Sequence, residues 1–185
     1  MKELWQVCRL LSNPKRLSLL RRTYSLKDVG LGVNEATDRF ELGQSAISQY
    51  FKQLLEVGLV RRERGGRLVG YYADWSKASA SIGEIAQMLY DRFAAGGTDT
   101  RFCEAFAVYG NAFRLRAILH VAKHDWVSKE ELAQVFKKPI RFITRDLEPA
   151  VKAGLLVLDS EDDLGSYRYL PPPDPIAQRV VALRG

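Results

Sequence analysis

The strongest constraint on how this chain can fold is an internal repeat. Leu11-Ser12-Asn13-Pro14-Lys15-Arg16-Leu17-Ser18-Leu19-Leu20 is answered 98 positions later by Tyr109-Gly110-Asn111-Ala112-Phe113-Arg114-Leu115-Arg116-Ala117-Ile118. Asn13 matches Asn111, Arg16 matches Arg114 and Leu17 matches Leu115. At a shift of 96, Val57-Gly58-Leu59-Val60 is answered by Ala153-Gly154-Leu155-Leu156, and Ile47-Ser48 by Ile143-Thr144. The identities are few, but their order and spacing hold, so two copies of one small unit is the simplest account. A length of 185 residues accommodates two such units, and Ala94-Ala95-Gly96-Gly97-Thr98 supplies a flexible break between them. The units expected are therefore 1–95 and 96–185.

Each copy reads as helices followed by a hairpin. Asn13 suits an N-cap and Pro14 the first helical position, with Leu10, Leu17 and Leu20 as an apolar stripe. Asn34 is expected to cap a short helix through Phe40. After a turn at Leu42-Gly43, a second helix covers residues 44–57 with Ile47, Phe51, Leu54 and Leu55 on one face. Gly58 falls where a left-handed C-terminal residue is wanted. Leu59–Arg64 and Arg67–Ala73 then flank Gly65-Gly66 as a two-residue hairpin. In the second copy, Ser128 and Glu131 form a capping-box pattern for a helix through Phe136, and Pro139 opens a helix ending at Gly154. Strands at Leu155–Leu158 and Ser166–Leu170 follow. Between the copies, Ile82, Ile85, Met88 or Leu89, and Phe93 predict a helix within 76–93. The fold class expected is mainly α with small β-hairpin wings: tandem winged helix-turn-helix units.

Three pieces of the first copy carry a family likeness. Leu11-Ser12-Asn13-Pro14-Lys15-Arg16-Leu17, Glu41-Leu42-Gly43-Gln44-Ser45-Ala46-Ile47-Ser48-Gln49-Tyr50-Phe51-Lys52-Gln53-Leu54 and Glu56-Val57-Gly58-Leu59-Val60-Arg61-Arg62 together resemble the ArsR-type bacterial repressors over residues 3–92. The resemblance implies a DNA-binding transcription regulator, usually a two-fold dimer, with the helix from Gln44 in the major groove. It also implies base- or phosphate-facing roles for Gln44, Ser45, Ser48, Gln49 and Tyr50. The paired-cysteine sensor motif of many such proteins is absent from the recognition region.

Residue chemistry points the same way without the resemblance. Ser45, Ser48, Gln49 and Lys52 fall away from the Ile47–Phe51–Leu54 stripe and offer hydrogen bonds without a carboxylate; glutamine can pair bidentately with adenine. The hairpin, covering residues 61–72, carries Arg61, Arg62, Arg64 and Arg67 against Glu63, a wing suited to phosphates or a minor groove. Net charge is +6, and nearly all of the surplus lies before residue 96: 15 Lys/Arg against 10 Asp/Glu there, 13 against 12 after. That asymmetry fits one polyanion-facing copy and one with another job.

The second copy departs from the first. Lys137, Lys138, Arg141 and Arg145 leave a second DNA contact open, but Pro149 is expected to kink its helix. Its wing tip, Asp159-Ser160-Glu161-Asp162-Asp163, would repel phosphate. Phe102, Phe106 and Phe113 suit either ordinary core or packing across the junction. A degenerate winged helix serving as internal partner is expected, completing a pseudo-dimer in one chain; a homodimer through the 76–93 helix is the alternative.

Other chemistry is sparse. His120 and His124, four apart, are read as surface or interface histidines rather than a metal site, so no cofactor or metal is expected. Cys8 and Cys103 cannot build a disulfide framework, and a redox pair between them has no support in the pattern. No phosphate loop, dinucleotide fingerprint or nucleophile–base set is present, so an enzyme is not expected. Met1-Lys2-Glu3-Leu4-Trp5 does not match a signal peptide and no apolar run reaches about 20 residues, so a cytoplasmic protein without a membrane partner is expected. The competing function class is a tandem winged-helix protein-interaction or scaffold module; a third is a ligand sensor with a pocket between the 76–93 helix and the second copy.

Overall fold

Asn13 and Asn111 do the same work at matching points of the chain. In a computed structural model, which describes residues 4–26, 29–65, 68–97, 100–159 and 165–183, Asn13 Oδ1 accepts from the Arg16 N–H at 3.0 Å and Asn111 Oδ1 from the Arg114 N–H at 2.9 Å. Each asparagine satisfies one of the donors a helix start leaves open. The helices so begun are α2 (Pro14–Ser25) and α7 (Ala112–Val121), preceded by α1 (Leu4–Leu11) and α6 (Thr100–Tyr109).

The order after each cap is the same. In the first copy β1 (Leu31–Gly32), α3 (Val33–Phe40), α4 (Gln44–Glu56), β2 (Val60–Gly65), β3 (Leu68–Ala73) and α5 (Ala80–Ala94) follow. In the second they are β4 (Val127–Ser128), α8 (Lys129–Phe136), α9 (Ile140–Lys152), β5 (Leu156–Asp159), β6 (Ser166–Tyr169) and α10 (Pro175–Ala182). The two antiparallel sheets have matching strand orders, β1-β3-β2 and β4-β6-β5. Backbone exceptions coincide too: Glu41 and Lys137 both take a left-handed φ of 50° between the two helices of each helix-turn-helix. Gly58 and Gly154 turn the chain into each hairpin at φ 77° and 69°. Mainly helical units with small hairpin wings are therefore the observed fold.

Several local expectations shift. Asn34 does not cap α3; Gly32 holds that position, and Asn34 is the second residue of the helix with its side chain on α4. Gly65 pairs with Leu68, so the linking residues are 66 and 67, one position later than expected, and both lie outside the described residues. The 76–93 helix begins only at Ala80, because Asp74 accepts the Ser76 N–H at 2.8 Å in a side-chain turn that competes with a helix. Pro139 sits at the N-cap of α9 rather than inside it, and α9 runs on past Pro149 to Lys152. The two-residue strands β1 and β4 and helix α10 had no sequence reading at all.

The copies share one core. Phe102 and Phe106 of α6 are fully buried in the cluster that also holds Leu4, Val7, Cys8 and Leu11 of α1, and α6 lies along α1. Phe113 stays half-buried within the second copy, edge-on to Phe136 at 5.3 Å. At Gly110 a Cβ would stand 2.7 Å from the Arg9 Cα, so the close approach of these two segments requires glycine. α10 packs on α5, joined by ion pairs from Arg92 to Asp174 and from Arg179 to Glu84. Asp174 also caps α10 through the Ile176 and Ala177 N–H groups at 3.0 and 3.2 Å. The two halves thus meet through α1 against α6 and α5 against α10.

Cys8 and Cys103 flank this junction and neither is in a disulfide. Burial pushes the Cys8 thiol far above the ordinary thiol range, while Cys103 is half-buried with its Sγ 3.9 Å from the Leu11 carbonyl. Because the thiolate is the nucleophile, Cys8 should resist alkylation at pH 8 in the native protein and react only where denaturant unfolds it. Peptide mass spectrometry after timed labelling checks this; native labelling of Cys8 at the rate of an exposed thiol contradicts it.

Candidate nucleic-acid interface

The three residues Glu41-Leu42-Gly43 join α3 to α4, the turn length of a helix-turn-helix. Ile47, Phe51 and Leu54 of α4 are fully buried. Phe51 stacks on Tyr71 of β3 with centroids 3.9 Å apart and planes 3° apart, so the wing is fastened to the same helix. Gln44 Nε2 donates to Asn34 Oδ1 at 3.2 Å, tying the start of α4 to α3.

This anchoring leaves Gln44, Ser45, Ser48, Gln49 and Lys52 exposed along one side of α4. Tyr50 is placed differently. It is half-buried on the flank facing α2, and the Arg16 guanidinium lies over its ring at 5.3 Å. In the second copy Arg114, the match of Arg16, donates through Nε to the Asp146 carbonyl at 3.0 Å, and Asp146 matches Tyr50. Both arginines hold the second helix of their helix-turn-helix. In the sequence Arg16 marks the repeat and the family likeness but no such role; its matched position is the signal that points to it.

The wing arginines separate by strand alternation. Arg62 pairs with Tyr71 and so shares its sheet face, the one turned toward α4, and Arg64 lies two positions on. Both are exposed. Arg61 points to the opposite face, where it meets Glu63, stands 3.9 Å from Asp74 and lies over the Tyr72 ring at 4.4 Å. Arg61 also helps hold the Asp74 carboxyl below the usual range, after the Ser76 N–H that Asp74 accepts. Arg67 lies outside the described residues. The structure thus sets Gln44, Ser45, Ser48, Gln49 and Lys52 on one side of α4 and Arg62 and Arg64 on the wing face turned toward α4, while Tyr50 is half-buried against α2 and Arg61 lies on the opposite wing face.

At the matching face of α9, Arg141, Thr144 and Arg145 are exposed. Part of the charge is paired locally: Arg145 bonds Asp146 at 3.0 Å, Lys138 bonds it at 3.1 Å, and Lys152 pairs with Glu148 at 2.6 Å. These contacts help hold the Asp146 carboxyl below its ordinary value against its burial. Of the acidic wing tip, Asp159 ends β5 and residues 160–163 lie outside the described residues.

The chain belongs to the helix-turn-helix-type transcriptional regulators. It is 30% identical over 84 residues to the uncharacterized HTH-type transcriptional regulator YbzH of Bacillus subtilis (strain 168), an alignment covering 45% of this chain and 80% of that protein. Among solved structures it is similar to reduced HlyU from Vibrio cholerae, at 29% identity and a TM-score of 0.36, over 46% of this chain and 82% of that one. No protein-family model matches the chain. No described helix is long and apolar enough to cross a membrane.

Proposed function

We propose that the chain is a sequence-specific repressor of the ArsR type that binds double-stranded DNA through α4 in the major groove, with the β2–β3 wing on the flanking backbone. The observation that carries this reading is the exposed side of α4 from Gln44 to Lys52. It is rich in hydrogen-bonding groups, free of carboxylates, and shares its aspect with Arg62 and Arg64. Gln49 and Ser48 would read base edges, while Lys52, Arg62 and Arg64 would hold phosphates. The units 1–95 and 96–185 are two copies of one module, the second an internal partner that makes a pseudo-dimer of a single chain. On α9 the exposed Arg145 and neighbouring Lys138 are both drawn to Asp146, which competes with contact to phosphate. Repression follows from occupying duplex that polymerase needs.

Selection from a random duplex pool tests the reading. One recovered site per chain is expected, with about five phosphate contacts giving a slope of log affinity against log salt near −4 to −5. Gln49→Ala should lose about 1–3 kcal/mol of discrimination at one base position while leaving non-specific affinity in place. Absence of any duplex affinity, with a protein partner retained at high salt, would favour the scaffold reading instead.

A further inference from the structure

We propose that His120, His124 and Glu131 form a binding site for a divalent cation of the zinc class. His120 is in the last turn of α7 and Glu131 in the first turn of α8. His124 lies beyond the end of α7, not on its face, in a turn where its N–H donates to the Val121 carbonyl at 3.1 Å. One ligand atom from each of the three residues lies within 4.8 Å of the other two. His120 Nε2 and Glu131 Oε1 stand 3.2 Å apart, and the two imidazole centroids 4.9 Å. Ligands at about 2.0–2.1 Å from a tetrahedral zinc are roughly 3.3 Å from one another. The first pair already has that spacing, and a side-chain rotation brings in the third. Two nitrogens and a carboxylate without thiolate suit zinc, with a fourth position left to water.

Comparison of the copies separates this cluster from an ordinary ion pair. At the matching positions of the first copy, Arg22 and Glu35 form an ion pair at 3.3 Å. His120 and Glu131 occupy that place in the second copy, but a pair needs only those two. His124, which matches Leu26, is the addition, and it brings a third donor to the same point. Neighbouring contacts hold the other two ligands. Ser128 Oγ accepts the Glu131 N–H at 3.1 Å, so the capping serine fixes the backbone while the carboxylate reaches across to His120. The His120 ring also stands edge-on to Phe136 at 6.0 Å. A cation here would pin α8 to the end of α7.

Calorimetric titration of the chelator-treated full chain with zinc, and with cobalt as a spectroscopic probe, tests the site. The expected result is one equivalent bound with a dissociation constant of about 10 µM or tighter. Cobalt should give ligand-field bands without the thiolate charge-transfer band that Cys8 or Cys103 would produce. His124→Ala and Glu131→Gln should each weaken binding by at least about tenfold. Zinc should raise the Tm of the wild type and not of His124→Ala, since a ligand that binds only the folded state stabilises it. His124 is exposed, so its replacement leaves the core intact. No saturable binding, a thiolate band, or affinity unchanged in His124→Ala would overturn the assignment.

Discussion

Phe106→Ala is expected to lower the stability of the whole chain by about 3–5 kcal/mol while leaving one cooperative unfolding transition. Phe106 is fully buried on α6, stacked 4.1 Å from Phe102 and edge-on to Tyr109 at 6.2 Å, in the core that continues into α1. The cavity left by its ring removes contacts on both sides of the junction, so neither copy escapes the loss. Urea unfolding followed by far-ultraviolet dichroism and by tryptophan fluorescence checks this. Trp5 and Trp75 report the first copy and Trp126 the second. Coincident midpoints in wild type and variant are expected. Two separated transitions would show that the copies fold independently and that α1 and α6 merely touch.

Arg62→Glu combined with Arg64→Glu is expected to weaken duplex binding about 100-fold, since each reversed phosphate contact costs roughly tenfold or 1.4 kcal/mol. The salt slope should become shallower by about 2, because each lost phosphate contact releases one fewer set of counterions. Arg61→Ala is the contrasting variant. Its charge is turned to Glu63, Asp74 and the Tyr72 ring on the other face of the hairpin, so binding should change by less than about threefold. Electrophoretic mobility shifts on the selected site at several salt concentrations measure all three quantities. Equal losses for Arg61 and the double variant would mean that the wing approaches DNA from the opposite face.

Much of the module was legible because its signals are local. Asn13 and Asn111 act as caps within three residues of their partners, Gly58 and Gly154 supply left-handed backbone at a helix end, and Ile47, Phe51 and Leu54 mark a face by helical period. Where the reading slipped, a nearby competitor won. Asp74 drew the Ser76 N–H into a turn and delayed α5, and pairing of Gly65 with Leu68 moved the hairpin register by one. The strands β1 and β4 were illegible because two residues carry no alternation; only their β3 and β6 partners make them strands.

By itself, then, the sequence determined a helix-turn-helix with a basic hairpin wing, since caps, helical period and turn glycines act over a few residues. The tertiary structure decided which sheet face each wing charge takes and how the two halves meet. Arg16 is committed to Tyr50 and Arg61 to its own sheet face, Arg62 and Arg64 are left beside α4, and α1 is closed onto α6. The same holds at α7 and α8, where His124 joins a pair that the first copy makes without it. These outcomes depend on groups distant in the chain arriving within a few ångströms, where contact energies fall off too steeply for spacing along the sequence to foretell them.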